Sequence, residues 1–303
     1  MILKGQNFRV LMKDADPVPM HCIAMATGCT ITLTGNTEDA SHKDITGMAS
    51  APAIVSKGWS VQVESLDVTN AALFLGAIHT GTPLTLMWDE TSTTDNQTVA
   101  NATFARKGQA YISDVTLNFN NRENSAKSVQ FTGTGELAKI TTTPTTQVMS
   151  VPGLTKGQFV RLFLSSDNTT TPAAVIAAAM QLSFHVSVTL EDATTKDTTG
   201  DWVIQEPTAI SYDISTTALV RSDETITSST TGQDLSSIEE IFEAGAPVKW
   251  AIANVSGANQ RTKGTTIVSG SAIITQLTLN GPNRQNADYT AQFTGYGDYS
   301  TAA

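Results

Sequence analysis

Charge is scarce in this chain, and positive charge scarcer still. Asp, Glu, Lys and Arg make up 15% of 303 residues, and 28 acidic groups outnumber 18 basic ones for a formal net charge of −10. The imbalance is uneven: 10 basic minus 13 acidic residues gives −3 over 1–150, and 8 minus 15 gives −7 over 151–303. No basic stripe occurs in either part, which argues against tight wrapping of nucleic acid. No apolar run approaches a membrane span, so no membrane partner is expected. The opening MILKGQNFRV lacks the long apolar stretch of a secretory signal. The two cysteines, Cys22 and Cys29, are too few and too far apart for a metal or redox motif, and read as small core residues. Aromatics are only 6%. The abundance of Thr, Ser, Ala, Gly and Val favours β-structure and turns over a helical bundle.

What the chain does have is a second copy of itself. Residues 112–137 (ISDVTLNFNNRENSAKSVQFTGTGEL) and 274–299 (ITQLTLNGPNRQNADYTAQFTGYGDY) align without a gap at 12 identities. Among these are Asn121-Arg122-x-Asn124 with Asn283-Arg284-x-Asn286. Upstream, Glu38-Asp39-Ala40 leads through Lys43-Asp44 to Thr46-Gly47, and Glu191-Asp192-Ala193 leads through Lys196-Asp197 to Thr199-Gly200. Lys4-Gly5-Gln6 and Lys156-Gly157-Gln158 open the two copies. A unit of about 150 residues is one ordinary domain, too long for a solenoid repeat. The reading is two tandem domains, 1–140 and 153–303. The polar, proline-broken segment 141–152 is the linker.

Each copy shows the same element order. Asn7–Met12 and Phe159–Leu164 read as strands, as do Thr30–Thr34 and Ser183–Ser187, and Trp59–Val63 and Ile210–Ile214, all by period-two alternation. Long polar segments at 36–57 and 189–207 read as loops of functional length. One helix is expected per copy, over 69–75 following Leu66-Asp67-Val68, and over 234–242. In the second, Ser236 with Glu239 or Ser237 with Glu240 offers a capping box. Gly81-Thr82-Pro83 and Gly245-Ala246-Pro247 are stop signals. The fold class is mainly β: two homologous β-sandwich or half-barrel domains, each with one flanking helix and a long polar loop.

Candidate chemistry does not survive comparison of the copies. None of His21, His42, His79 and His185 recurs; Thr195 and Thr32 stand opposite His42 and His185. This excludes a metal site common to both copies, and no histidine has clustered ligands beside it. Gly133-x-Gly135 and Gly295-x-Gly297 precede no helix, so they do not make a phosphate loop. The expectation is a protein that is not an enzyme and takes no cofactor or metal. The interface candidates are Glu38, Asp39, Lys43 and Asp44, with Glu191, Asp192, Lys196 and Asp197. These interleaved loop charges read either as solvated or as salt-bridged to another subunit. Arg122 and Arg284 join them, read either as hairpin-turn residues beside αL-tolerant Asn or as reaching a carboxylate across a ring interface.

The MILKG opening, the Cys22-Ile23-Ala24-Met25-Ala26-Thr27 strand entry and the Glu-Asp-x-(Ser/Thr)-x-Lys-Asp-x-Thr-Gly segment resemble the major tail tube proteins of long-tailed bacteriophages. So do the Thr/Ser-rich strands, and the resemblance covers both copies. It implies a β-sandwich with one helix and a loop reaching a neighbour, stacked rings around a lumen, and transient, non-specific passage of DNA. It also implies a location in the virion tail after synthesis in the host bacterial cytoplasm, with tail terminator and baseplate or tip proteins as partners. Two copies per chain, where the family pattern has one, lead to the expectation of a trimeric ring with pseudo-sixfold symmetry. The alternatives are the inner tube of a contractile injection machine and a tandem β-sandwich binding module of the surface or adhesin type.

Overall fold

A computed structural model describes residues 4–13, 19–45, 50–68, 70–149, 153–198, 200–220, 233–256 and 261–301. Thr46, Gly47 and Thr199 of the repeated segments lie outside these. The first copy forms β1 (Phe8–Lys13), β2 (Met20–Cys22), β3 (Ala26–Asp39), β4 (Pro52–Ser65), helix α1 (Ala71–Thr80), β5 (Leu84–Thr91), β6 (Val99–Asn120) and β7 (Ala126–Lys139). The short strand β8 (Thr146–Gln147) falls in the connecting segment. The second copy forms β9 (Val160–Leu164), β10 (Ala174–Val175), β11 (Ala179–Asp192), β12 (Gln205–Leu219), helix α2 (Leu235–Ala244), β13 (Val248–Ser256), β14 (Thr262–Asn280), β15 (Asp288–Gly295) and β16 (Ser300–Thr301). A single 3-10 turn opens each copy, at Gly5–Asn7 and Gly157–Phe159.

Matched positions of the repeated segments take similar backbone angles. Met25 and Ala178 take positive φ at 50° and 53°, and Arg122 and Arg284 at 66° and 64°. Gly81 and Gly245 are both at 60°, and Gly135 and Gly297 both at 72°. Non-glycine residues hold such angles only where surrounding contacts impose them.

Alternation sets the two faces of each strand. In β4, Trp59, Val61, Val63 and Ser65 are buried, while Gln62 and Glu64 face outward. The layers meet over one apolar cluster that joins Val61, Phe131 and Leu86 of the first copy to Phe184, Trp250 and Phe293 of the second. Trp59 shows how closely that cluster packs. A methyl at Gly133 of β7 would come 2.1 Å from its ring, and one at Gly108 of β6 2.5 Å, so both strands must carry glycine there.

Three expectations need correction. Helix α1 begins later than read, because the Asp67 carboxylate accepts bonds from the Asn70 backbone N–H (3.3 Å) and Nδ2 (2.6 Å) and holds a turn ahead of Ala71. Helix α2 is capped by Asp234, which accepts from the Ser237 N–H at 3.0 Å, so neither expected capping box forms. The segments 36–57 and 189–207 are largely not loops. β3 runs on to Asp39 and β4 starts at Pro52; β11 runs to Asp192 and β12 starts at Gln205. These are long hairpin arms whose polar residues meet solvent on both faces, which erases the alternation by which a strand is recognised in sequence.

Candidate assembly interface

The two copies are joined edge to edge. Strand β6 pairs β5 along residues 99–110 and then, farther along, pairs β11 antiparallel from Asp114↔Ser187 to Asn120↔Gln181. The result is an eight-stranded run in the order β3-β4-β7-β6-β11-β12-β15-β14. Across the junction Val115, Leu117, Phe184 and Val186 are fully buried, each contributing about 1.5–3 kcal/mol by removal from water.

The most similar segments of the two copies meet each other here. The Asn121-Arg122-Glu123-Asn124 turn of the first copy lies on the Lys156-Gly157-Gln158 opening of the second. The Asn121 N–H donates to Met180 O (2.8 Å), Gly157 N–H to Glu123 O (2.9 Å) and Ser125 N–H to Thr155 O (2.8 Å). A Cβ at Gly157 would sit 2.3 Å from the carbonyl oxygen of Asn120, so only glycine fits. At Gly5, its counterpart, there is nothing within 4 Å.

The arm of the second copy reaches back over the first. Lys57 N–H donates to Asp201 O (2.6 Å), Val203 N–H to Lys57 O (3.0 Å) and Gly135 N–H to Val203 O (2.8 Å). Lys57 Nζ stands 2.9 Å from Asp201 Oδ2; this surface pair is worth about 0–1 kcal/mol. The Gln205 N–H donates to Thr134 Oγ1 at 2.9 Å. The arm of the first copy, in contrast, leaves Ile54 and Val55 exposed.

The outer ends of the eight-stranded run are free edges whose apolar residues lack cover. Leu33 is 62% exposed where its counterpart Val186 is 0%, and Leu279 is 52% exposed where Leu117 is 0%. On the helices, Phe242 is 42% exposed where Ile78 is 3%. Tyr296 and Ile210, the counterparts of Thr134 and Lys57, are also exposed.

The face of the run away from the core is lined by hydroxyls and amides. Level with the junction its charged groups among the described residues are Glu64, Asp114, Asp213 and Asp288, with His185 and no lysine or arginine. His185 stands between two of these carboxylates, with Nε2 2.5 Å from Asp114 Oδ2 and Nδ1 2.9 Å from Asp213 Oδ1.

The sequence-derived interface candidates lie apart from this junction. Glu38, Asp39, Lys43, Asp44, Glu191, Asp192, Lys196 and Asp197 are exposed on the arms. The Ser41 hydroxyl and N–H hold the Asp39 carboxyl below its ordinary range, and Thr194 does the same for Asp192. The Asp44 N–H donates to His42 Nδ1 at 3.3 Å within its own turn. Arg122 and Arg284 occupy the positive-φ position of their hairpin turns, exposed and, among the described residues, in no ion pair. Sequence reading missed the Asp114–His185–Asp213 cluster, because its members lie on three strands and His185 does not recur in the other copy. The Lys-Gly-Gln openings were visible as a repeat, but nothing in the sequence indicated what they touch. Cys22 is buried and its thiol pushed up to about 11 by burial; Cys29 is half-buried, and both are free, as core residues should be.

No protein-family model matches the chain, and no curated protein does. Solved structures do resemble it at low similarity. The tail of an empty gene transfer agent (GTA) particle, refined with C6 symmetry, is 17% identical with a TM-score of 0.37, covering 49% of this chain and 99% of that one. The virion of a native GTA particle is 19% identical with a TM-score of 0.35 and the same coverage. The SPP1 tail tube is 15% identical with a TM-score of 0.36, covering 46% of this chain and 75% of that one.

Proposed function

We propose that this chain is the structural subunit of a phage tail tube, three copies closing a ring with pseudo-sixfold symmetry and rings stacking into a conduit for DNA. The observation that carries this reading is the contrast between Gly157, filled by the backbone of the preceding copy, and Gly5, an identical but empty cradle. The chain keeps both partners of a second junction, Lys4-Gly5-Gln6 and Asn283-Arg284-x-Asn286, at opposite ends of its sheet. Repeating the internal junction between chains pairs β14 of one with β3 of the next, Asn280 opposite Thr30 and Thr278 opposite Thr32. It covers Leu33 and Leu279 and gives the first arm a landing site at Ile210 and Tyr296. A heterologous contact closes into a ring when its rotation divides the full circle evenly, and a ring of six copies would require three chains.

The polar face then forms the inner wall. Its carboxylates repel phosphate, and among the described residues level with the junction there is no lysine or arginine to track a backbone, which suits passage without retention. Tail terminator and baseplate or tip proteins are the partners that the tail-tube resemblance adds. Negative-stain microscopy with mass measurement tests the reading. Rings of three chains support it; rings of six chains, or a monomer that persists at high concentration, overturn it.

A further inference from the structure

The internal junction carries charged groups that the free edges lack. Within the chain, on the face away from the core, Asp213 of β12 stands opposite His185 of β11, and Asp114 of β6 lies diagonally across the join from it. At the free edges the same three positions are Gln276, Thr32 and Ser60, all neutral. Carboxylates only accept hydrogen bonds, so a histidine bonded through both ring nitrogens to two of them donates from both and is an imidazolium. We propose that the Asp114–His185–Asp213 cluster is a proton-dependent latch that holds the two copies of one chain together.

The surroundings fit this role. The other groups near His185 on this face are neutral: Ser183 and Ser187 on its own strand, Thr116 on β6 and Ser211 on β12, with Gln130 of β7 and Thr294 of β15 in the next rows. Ser187 and Ser211 bond each other at 2.8 Å. His185 and Asp114 are each 33% exposed and Asp213 is 59%, so protons exchange freely with solvent. Burial disfavours the imidazolium, but the bonds to Asp213 and Asp114 and their charges outweigh it, leaving the His185 pKa raised. A raised folded-state pKa stabilises fully below the ordinary histidine value, and the gain is lost as pH rises through the folded value.

The latch concerns the single chain and does not depend on the ring. It is tested by NMR titration of the His185 ring in the whole protein, and by urea midpoints from pH 5.5 to 8. The comparison is with His185→Thr, which copies the residue of the other copy. The expected results are titration above the ordinary histidine range, shifted downward in Asp114→Asn, and a wild-type midpoint that falls with rising pH relative to His185→Thr. Subtracting the variant's profile removes contributions from other titrating groups. Titration at or below the ordinary value, or parallel profiles for the two proteins, would overturn the proposal. The wild-type titration decides the matter even if a variant fails to fold.

Discussion

The α-carbon of Gly157 lies directly beneath the peptide of Asn120, close enough that a methyl group there would overlap the carbonyl oxygen at 2.3 Å. Its counterpart Gly5 is open. The same side chain added at the two sites should therefore do different things. Gly157→Ala should destabilise the isolated chain by about 1–3 kcal/mol through overpacking. Gly5→Val should leave its denaturation midpoint nearly unchanged yet abolish rings. Chemical denaturation followed by microscopy separates the two effects, and normal rings from Gly5→Val would count against the interchain junction.

A second prediction concerns register. With Cys22→Val and Cys29→Leu removing the native thiols, Thr30→Cys and Asn280→Cys should form a disulfide between chains on oxidation. These positions copy the internal pair Ser183↔Asn118. Non-reducing electrophoresis should show dimers and trimers. Rings by microscopy without cross-links would mean the ring reading stands and the register is wrong.

Trp59 is the side chain around which the first copy is built, with Trp88 edge-on at 5.9 Å and two glycines making room for it. Trp59→Ala should cost about 3–5 kcal/mol, the usual loss for a large buried aromatic. A calorimetric scan showing an unchanged midpoint would mean that the surrounding strands collapse into the space.

Lys127 gives a pH prediction of opposite sign to that of His185. Its ammonium lies 4.1 Å over the Phe74 ring, and burial brings its pKa down to about 8, partly offset by Asp67. A lysine with a lowered folded-state pKa makes the protein more stable as pH rises from the folded value toward the unfolded one, here from about 8 to 10.5. Lys127→Met should flatten that rise and add about 1–3 kcal/mol at neutral pH. Urea midpoints at pH 7 and 10 for both proteins provide the check.

The arms give a prediction about assembly alone. Deleting residues 40–50 removes the tip of an arm whose neighbouring Ile54 and Val55 touch solvent. The chain should keep its denaturation profile while losing the ability to form tubes. Tubes of normal length from the deletion would rule out a bridging role.

The repeat was legible because identical residues recurred in identical order, and the core strands were legible because one face is buried and the other wet. The arms were not, because Thr-rich strands wet on both sides carry no alternation. Asp234 was passed over as a helix-start signal because the Ser236-Glu239 and Ser237-Glu240 pairs stood beside it. The junction was invisible for a different reason. Pairing between β6 and β11 depends on which edges are left free in the folded copies, and no local pattern in Val115, Leu117, Phe184 or Val186 distinguishes an edge that meets a neighbour from one inside a copy.

The connecting segment has a consequence for the thermodynamics of closure. It runs beside β2 as β8, is held at Met149 by a two-bond clamp from the Gln97 side chain, and delivers Thr155 to the turn of the first copy. In the proposed ring of three chains, one junction in every two would form at the high effective concentration of a short tether. Each encounter between free bodies forfeits about 4–15 kcal/mol of translational and rotational freedom. A circle of six copies built from three tethered pairs would meet that loss about twice, where one built from six separate copies would meet it about five times. The remaining joints of such a ring could therefore be individually weak, so that misjoined chains would separate and rejoin before it closed.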